Sequence, residues 1–223
     1  MRLVFLSGFV LLVACGALFA QDDKLTVNDV NKLTTNAYAL QRSMPYRATH
    51  TDEEVSTTNS ITSRTSFTEI EEHLANGDFH SVRRTKNGGA TTTLERTIVG
   101  KRRFLRTNEG EWVEDTAPGY GSGFGGPSGT IRENLATAEL KRGDHLGKIT
   151  ADRYRVRRHS AFEFKSGKLD LTDSVSEYWL DKEGRLIRTE IRRTTQTGKD
   201  RVEVHAVWDF EYDTPVKVEI PIK

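Results

Sequence analysis

Residues 202–212, VEVHAVWDFEY, constrain the fold more tightly than any other stretch of the chain. Val202, Val204, Ala206, Trp208, Phe210 and Tyr212 fall on one side of a period-two pattern. Glu203, His205, Asp209 and Glu211 fall on the other, with Val207 the exception. A period of two is that of an extended strand, and a segregated apolar side turns one face to an interior and the other to water. That is the habit of antiparallel sheets; strands of a parallel sheet, covered on both faces, read as continuous apolar runs.

The same texture fills most of the chain. Between Tyr46 and Asp115, strand-like runs (SITSRTSFTEIEE, FHSVRRTK, TTTLERTIV, RRFLRT, EWVED) alternate with the turn signals NGD, NGG and NEG. From residue 151 onward, ADRYRVRRHSAFEF and the strands around DKEG and TGKD repeat it. Short strands with Asn-Gly-type turns predict antiparallel hairpins.

Two segments carry helical spacing instead. In 26–44, Val27, Val30, Leu33, Ala37, Leu40 and Met44 recur at steps of three and four. Thr26 is placed to cap this helix, Asp29 lies in its first turn, and Pro45 ends it. In 128–140, Ile131, Leu135, Ala138 and Leu140 approach the same spacing behind Ser128 and Thr130. The expected fold is therefore α+β: a curved antiparallel sheet forming an open half-barrel, with an N-terminal helix and a middle helix over its concave face.

The first 20 residues have the organisation of an export signal. Met1-Arg2 is a minimal basic start, LVFLSGFVLLVA (3–14) is an apolar stretch, and small residues follow. Two processing routes compete: cleavage after Ala20, or lipobox cleavage before Cys15, which alone would make the protein lipid-anchored. Apolar residues 17–20 continue past Cys15 and favour the first. The remainder, 21–223, is expected to be one domain. Loss of Arg2 takes Lys plus Arg from 33 to 32, equal to the 32 acids. That balance argues against a nucleic-acid partner. Cys15 is the single cysteine, so cleavage after Ala20 leaves no disulfide and no thiol chemistry.

No stretch spells out a catalytic centre. Gly121, Gly123 and Gly126 have the spacing of a dinucleotide loop, but Pro118 precedes them, Pro127 follows, and no parallel strand leads in. The six histidines show no H-x-x-x-H spacing and no cysteine partner, so a metal is not expected. Ser122 lacks the flanking glycines of a nucleophile elbow. The basic runs KRRFLR (101–106) and RYRVRR (153–158) suggest solvated, rim-facing arginines, or attraction to anionic lipid headgroups. No enzyme activity and no cofactor are expected.

The string TTLERTIVGKRRFLRTNEGEWVED resembles the LolA-like and LppX/LprG-like bacterial envelope proteins, through Ile98, Gly100, Arg103, Phe104, Arg106, Gly110 and Trp112. EYWLDKEGRLIRTEI adds Trp179, Leu180, Asp181, Gly184, Leu186 and Arg188; FEYDTPVKVEIP adds Tyr212, Pro215, Val216, Val218 and Pro221. The resemblance implies a periplasmic or envelope protein, peripheral to the membrane, that holds a lipid or the acyl chains of a lipoprotein in an apolar cavity between sheet and helices, as a carrier. The alternative is an envelope sensor or interaction module on the same fold, with a protein partner and no lipid transport. On the first reading the cavity is lined by Leu33, Leu40, Phe104, Trp112, Leu135, Trp179, Val204, Trp208 and Phe210. Gly121, Gly123, Gly125 and Gly126 then form a hinge that lets the middle helix lift.

Overall fold

The structure, a computed structural model, describes residues 25–116 and 129–221. One helix and eleven strands follow in chain order: α1 (Val27–Arg42), β1 (Tyr46–Thr58), β2 (Ile61–His73), β3 (Phe79–Asn87), β4 (Ala90–Val99), β5 (Arg102–Thr107), β6 (Val113–Glu114), β7 (Gly129–Leu146), β8 (Ile149–Phe164), β9 (Leu169–Leu180), β10 (Leu186–Thr197) and β11 (Asp200–Glu211). All strands join one antiparallel sheet in the order β6-β5-β4-β3-β2-β1-β11-β10-β9-β8-β7. The sheet is open, with β6 and β7 as its edges. It consists of two hairpin meanders, β1–β6 and β7–β11, joined where β1 pairs with β11 from Arg47↔Glu211 to Thr57↔Arg201.

Turn chemistry sets the registers. Asn87 pairs with Ala90 across Gly88-Gly89, whose φ angles of 56° and 99° give the left-handed loop that matches strand twist. Thr58 pairs with Ile61 across Asn59 and Ser60, at φ 50° and 68°; here the strain falls on ordinary residues, of which asparagine tolerates it best.

α1 begins as expected. Thr26 and Asp29 form a reciprocal capping box: the Asp29 amide donates to Thr26 Oγ1 at 3.2 Å, and the Thr26 amide donates to Asp29 Oδ2 at 2.9 Å. Its buried stripe is rotated from the expected one. Val30, Thr34, Ala37 and Gln41 face the sheet, and Leu33 is exposed. Thr34 tolerates burial because its hydroxyl donates to Val30 O at 2.9 Å. Ala37 packs on Leu180 and Leu186, and its small size admits Tyr38, Tyr154 and Tyr178 around the contact. α1 lies over β7, β8 and β10.

The expected middle helix is a strand. β7 spans the segment and pairs with β8 from Gly129↔Phe164 to Leu146↔Ile149. Ala136, Ala138 and Leu140 alternate with Thr137, Glu139 and Lys141, and pairing along β8 selects this period over the helical one. Of the two helices expected, the described residues contain one.

Residues opposite each other in a ladder share a face, so the registers sort side chains across the whole sheet. Tyr154, Tyr178, Leu180, Trp208, Phe210, Ala48, His50 and Phe67 lie on the helix-bearing face. Trp179, Glu177, Glu190, His205 and Phe104 lie on the opposite face. That face carries a ladder of ions. Glu177 takes Arg155 at 2.8 Å, Arg153 at 3.4 Å and Arg192 at 3.7 Å; Glu190 takes His205 at 2.9 Å and also Arg192. The arginines of the two basic runs are thus largely committed: Arg102 to Glu114, Arg103 to Asp115, Arg106 to Glu95, and Arg153 and Arg155 to Glu177.

Candidate functional site

The β9–β10 hairpin builds the first wall of a pocket. Asp181 staples the turn: its Oδ1 accepts from the amides of Glu183 at 3.0 Å and Arg185 at 2.9 Å, and its Oδ2 accepts from Arg185 Nε at 2.7 Å. Gly184, at φ 76°, supplies the left-handed residue that returns the chain into β10. The Arg185 guanidinium, fixed by Asp181, lies 5.1 Å from the centre of the Tyr212 ring. Tyr212 in turn donates its hydroxyl to Leu186 O at 2.6 Å. Burial pushes the Tyr212 hydroxyl far above its ordinary range, so it stays a neutral donor.

Between this hairpin, the β7–β8 turn and the chain leaving β11 lies a pocket of about 710 Å³. Its apolar lining comes from Ile149, Ile187, Phe210 and Tyr212, and its rim from Asp181, Lys182, Glu183, Arg185 and Asp213. Ile187 is backed by Ala151 and Trp179, with Leu146 against them, so the floor is firm. Ile149 is half exposed at the mouth. An apolar floor of this size with a charged rim suits a ligand that has an apolar body and a polar end.

A second cluster lies on the helix-bearing face. The His50 ring stacks on Trp208 with centroids 4.0 Å apart and meets Phe67 edge-on at 4.7 Å. Among the described residues its Nε2 is buried without a hydrogen-bond partner, and burial lowers its proton affinity. Glu69 and Glu71 each bring a carboxylate oxygen within 4.8 Å of a His50 ring nitrogen and of each other. The spacing would admit a metal ion, but the electrostatics oppose it. Arg83 and Arg96 both bind the fully buried Glu69, each at 2.5 Å, and already neutralise it.

The nine expected cavity residues do not come together. Phe210 lines the pocket and Trp179 packs behind its floor. Val204 and Trp208 lie with Phe210's face, two to six residues along β11. Phe104, fully buried, lies on the opposite face, and Trp112 sits there under the Arg106 guanidinium at 4.9 Å. Leu135 is an exposed residue of the edge strand, and Leu33 is exposed on α1, where Leu40 is half buried. No α1 residue lines the pocket, so it is not the expected cavity between sheet and helix. The sequence marks the Asp181–Arg185 pair through the D-K-E-G turn and through the hairpin likeness that includes Asp181, whereas no sequence signal marks Ile149 or Ile187 as ligand contacts. The glycines at 121, 123, 125 and 126, the export signal and Cys15 lie outside the described residues.

No family model matches the chain, and no curated protein matches it. Solved structures that it is similar to are DUF1329 and LolA-type proteins. A DUF1329 family protein from Desulfovibrio piger shares 12% identity over 86% of this chain and 95% of that one, at a TM-score of 0.32. An outer membrane lipoprotein-sorting protein domain from Vibrio parahaemolyticus shares 9% over 83% and 93%, at 0.31. A LolA superfamily protein from Nitrosomonas europaea shares 8% over 88% and 94%, at 0.27. Likeness at this level carries no argument about ligand or partner, which has to come from this chain's own side chains.

Proposed function

We propose that the protein is an exported bacterial envelope protein that binds a lipid, or an acyl chain of a lipoprotein, in the pocket at the β9–β10 end of the sheet. One observation carries the reading: an apolar floor of Ile187, Phe210 and Tyr212, closed from behind by Trp179 and rimmed by fixed charges. The apolar body of the ligand enters against Ile187, and the rim meets its polar end. A chain that buries about ten methylenes gains about 8 kcal/mol, before the cost of association. Micromolar or weaker affinity is therefore expected. The role is binding and not catalysis. The buried carboxylates that an enzyme would use are held in ion pairs, Glu69 by two arginines and Glu177 by three.

A second reading, an interaction module without lipid transport, has its own support. The contact of α1 with the sheet is filled by side chains, Ala37 among Tyr38, Tyr154 and Tyr178. One set of measurements separates the two. Protein purified gently from the envelope fraction is extracted for lipid mass spectrometry, and a fluorescent fatty acid is titrated into the delipidated chain. The lipid reading expects bound lipid, and probe binding that is lost in Ile187→Asp. It also expects weakened binding in Ile149→Asp, whose half-exposed position leaves folding untouched. No extractable lipid together with no probe binding would leave the interaction reading alone.

A further inference from the structure

The outer edge of β7 is the longest unpaired backbone in the described sheet. β7 is the last strand in the order, and from Gly129 to Thr137 every residue is exposed. Such an edge is a template for another strand, and folded proteins usually blunt it with bulges, prolines or charges. Here the bulges stand at the ends. The β7–β8 register shifts between Ile131 and Glu133 and again between Lys141 and Asp144, and from Glu133↔Ala161 to Lys141↔Arg153 it is unbroken. That regular stretch is centred on Thr137, contains no proline or glycine, and begins on an acid and ends on a base.

We infer that β7 pairs antiparallel with β7 of a second copy of this chain, about a twofold axis at Thr137, joining two sheets into one. Strands paired this way set residue 137 minus n against 137 plus n. Glu133 then faces Lys141 of the second copy, and the symmetry makes this pair twice. Ala136 faces Ala138 beside the axis, where small side chains let the strands approach. Among the described residues Glu133 has one ion-pair contact, His159 at 3.7 Å. Lys141 is held by Asp144 at 2.6 Å and would exchange that partner for Glu133 of the second copy, leaving Asp144 to Arg153 at 3.2 Å. The charges also select the register. Moving the axis to Ala136 sets Glu133 against Glu139, and moving it to Ala138 leaves Glu133 opposite the bulge.

The test is a charge swap read by sedimentation velocity over a concentration series, on the chain as processed in the cell. The native chain is expected to show a monomer–dimer equilibrium. Glu133→Lys sets lysine against Lys141 at both ends and should weaken dimerisation by about tenfold or more. The double variant Glu133→Lys/Lys141→Glu restores both pairs and should return the constant to within about threefold of the native value. Melting temperatures check that each variant is folded. A native chain that stays monomeric into the millimolar range overturns the inference. So does a dimer indifferent to Glu133→Lys, or a double variant as weak as the single one.

Discussion

Glutamine in place of Glu69 is the most informative single substitution. Glu69 is fully buried, and three charge-assisted hydrogen bonds reach it: Arg83 Nε at 2.8 Å, Arg83 Nη2 at 2.5 Å and Arg96 Nη2 at 2.5 Å. The amide keeps the volume but turns one oxygen into a donor facing a guanidinium. Each bond of this kind is worth about 1.5–3 kcal/mol. The two arginine side chains are 34% and 37% exposed, so water takes over part of what they lose. The expected cost is therefore about 3 kcal/mol, the lower end of the range for breaking a buried pair. In a domain of this size that lowers Tm by about 6–12 °C. The pH dependence gives an independent check. Burial works to raise the Glu69 carboxyl, but hydrogen bonds from Arg83, Ser81 and Arg96 outweigh it and hold the group below the usual glutamate range. A carboxyl depressed in the folded state stabilises above its unfolded pKa, and that contribution is lost as pH falls through the folded value. The native and Glu69→Gln proteins should thus differ most at neutral pH and converge on acidification. Thermal melts followed by circular dichroism from pH 3 to pH 7 measure both. A variant within about 2 °C of native at neutral pH, or a gap that persists unchanged at pH 3, refutes the reasoning.

Other expectations follow from single contacts. A Cβ added at Gly129 would stand 2.6 Å from the Phe162 ring and clash with Glu163 O, so Gly129→Ala should cost about 1–3 kcal/mol and raise amide exchange at the open end of β7–β8. Thr26→Ala removes one half of the capping box and should cost about 1 kcal/mol, seen as an earlier loss of helical signal in denaturant. His159 is held above the ordinary histidine range by its hydrogen bond to Asp173, so its imidazole resonances should titrate at higher pH than those of a free histidine, and Asp173→Asn should bring the midpoint down. His50 behaves in the opposite sense: burial lowers it, so its contribution is present above its unfolded pKa and fades as pH falls through the folded one, and its resonances should titrate after acidification beyond the exposed histidines.

How much of this was legible depended on the kind of signal. The alternation of Val202 to Tyr212 is a local record of one buried face, and β11 carries it out. The Gly88-Gly89 turn announces itself because left-handed backbone closes its two-residue loop. Thr26 and Asp29 act within one turn, so the cap was readable as well. β7 was misread because both of its faces are largely exposed. Without a buried side there is no enforced alternation, and Ile131, Leu135 and Ala138 could imitate a helix. The helix stripe differs because Ala37, set against Leu180 and Leu186, makes Val30, Thr34 and Gln41 the inward-facing residues in place of Leu33. The expected cavity residues are dispersed for a topological reason. Whether Trp179 and Trp208 share a face is decided by the registers through β10, where Arg188 pairs with both Trp179 and Asp209, and a single strand's pattern does not record them.

The join between β1 and β11 sets the order in which this chain can complete its fold. Among the described strands every other ladder links strands adjacent in sequence, whereas Arg47 must wait for Glu211. Each meander can close on itself early through short loops, but loop-closure entropy makes the seam late and slow. Until it forms, β1 and β11 are two bare inner edges, each apolar on one side, in the same molecule. The interval before the seam zips is when the protein is most exposed to aggregation and to protease, and seam substitutions such as Val207→Thr should change folding speed more than those at Arg102 or Lys141.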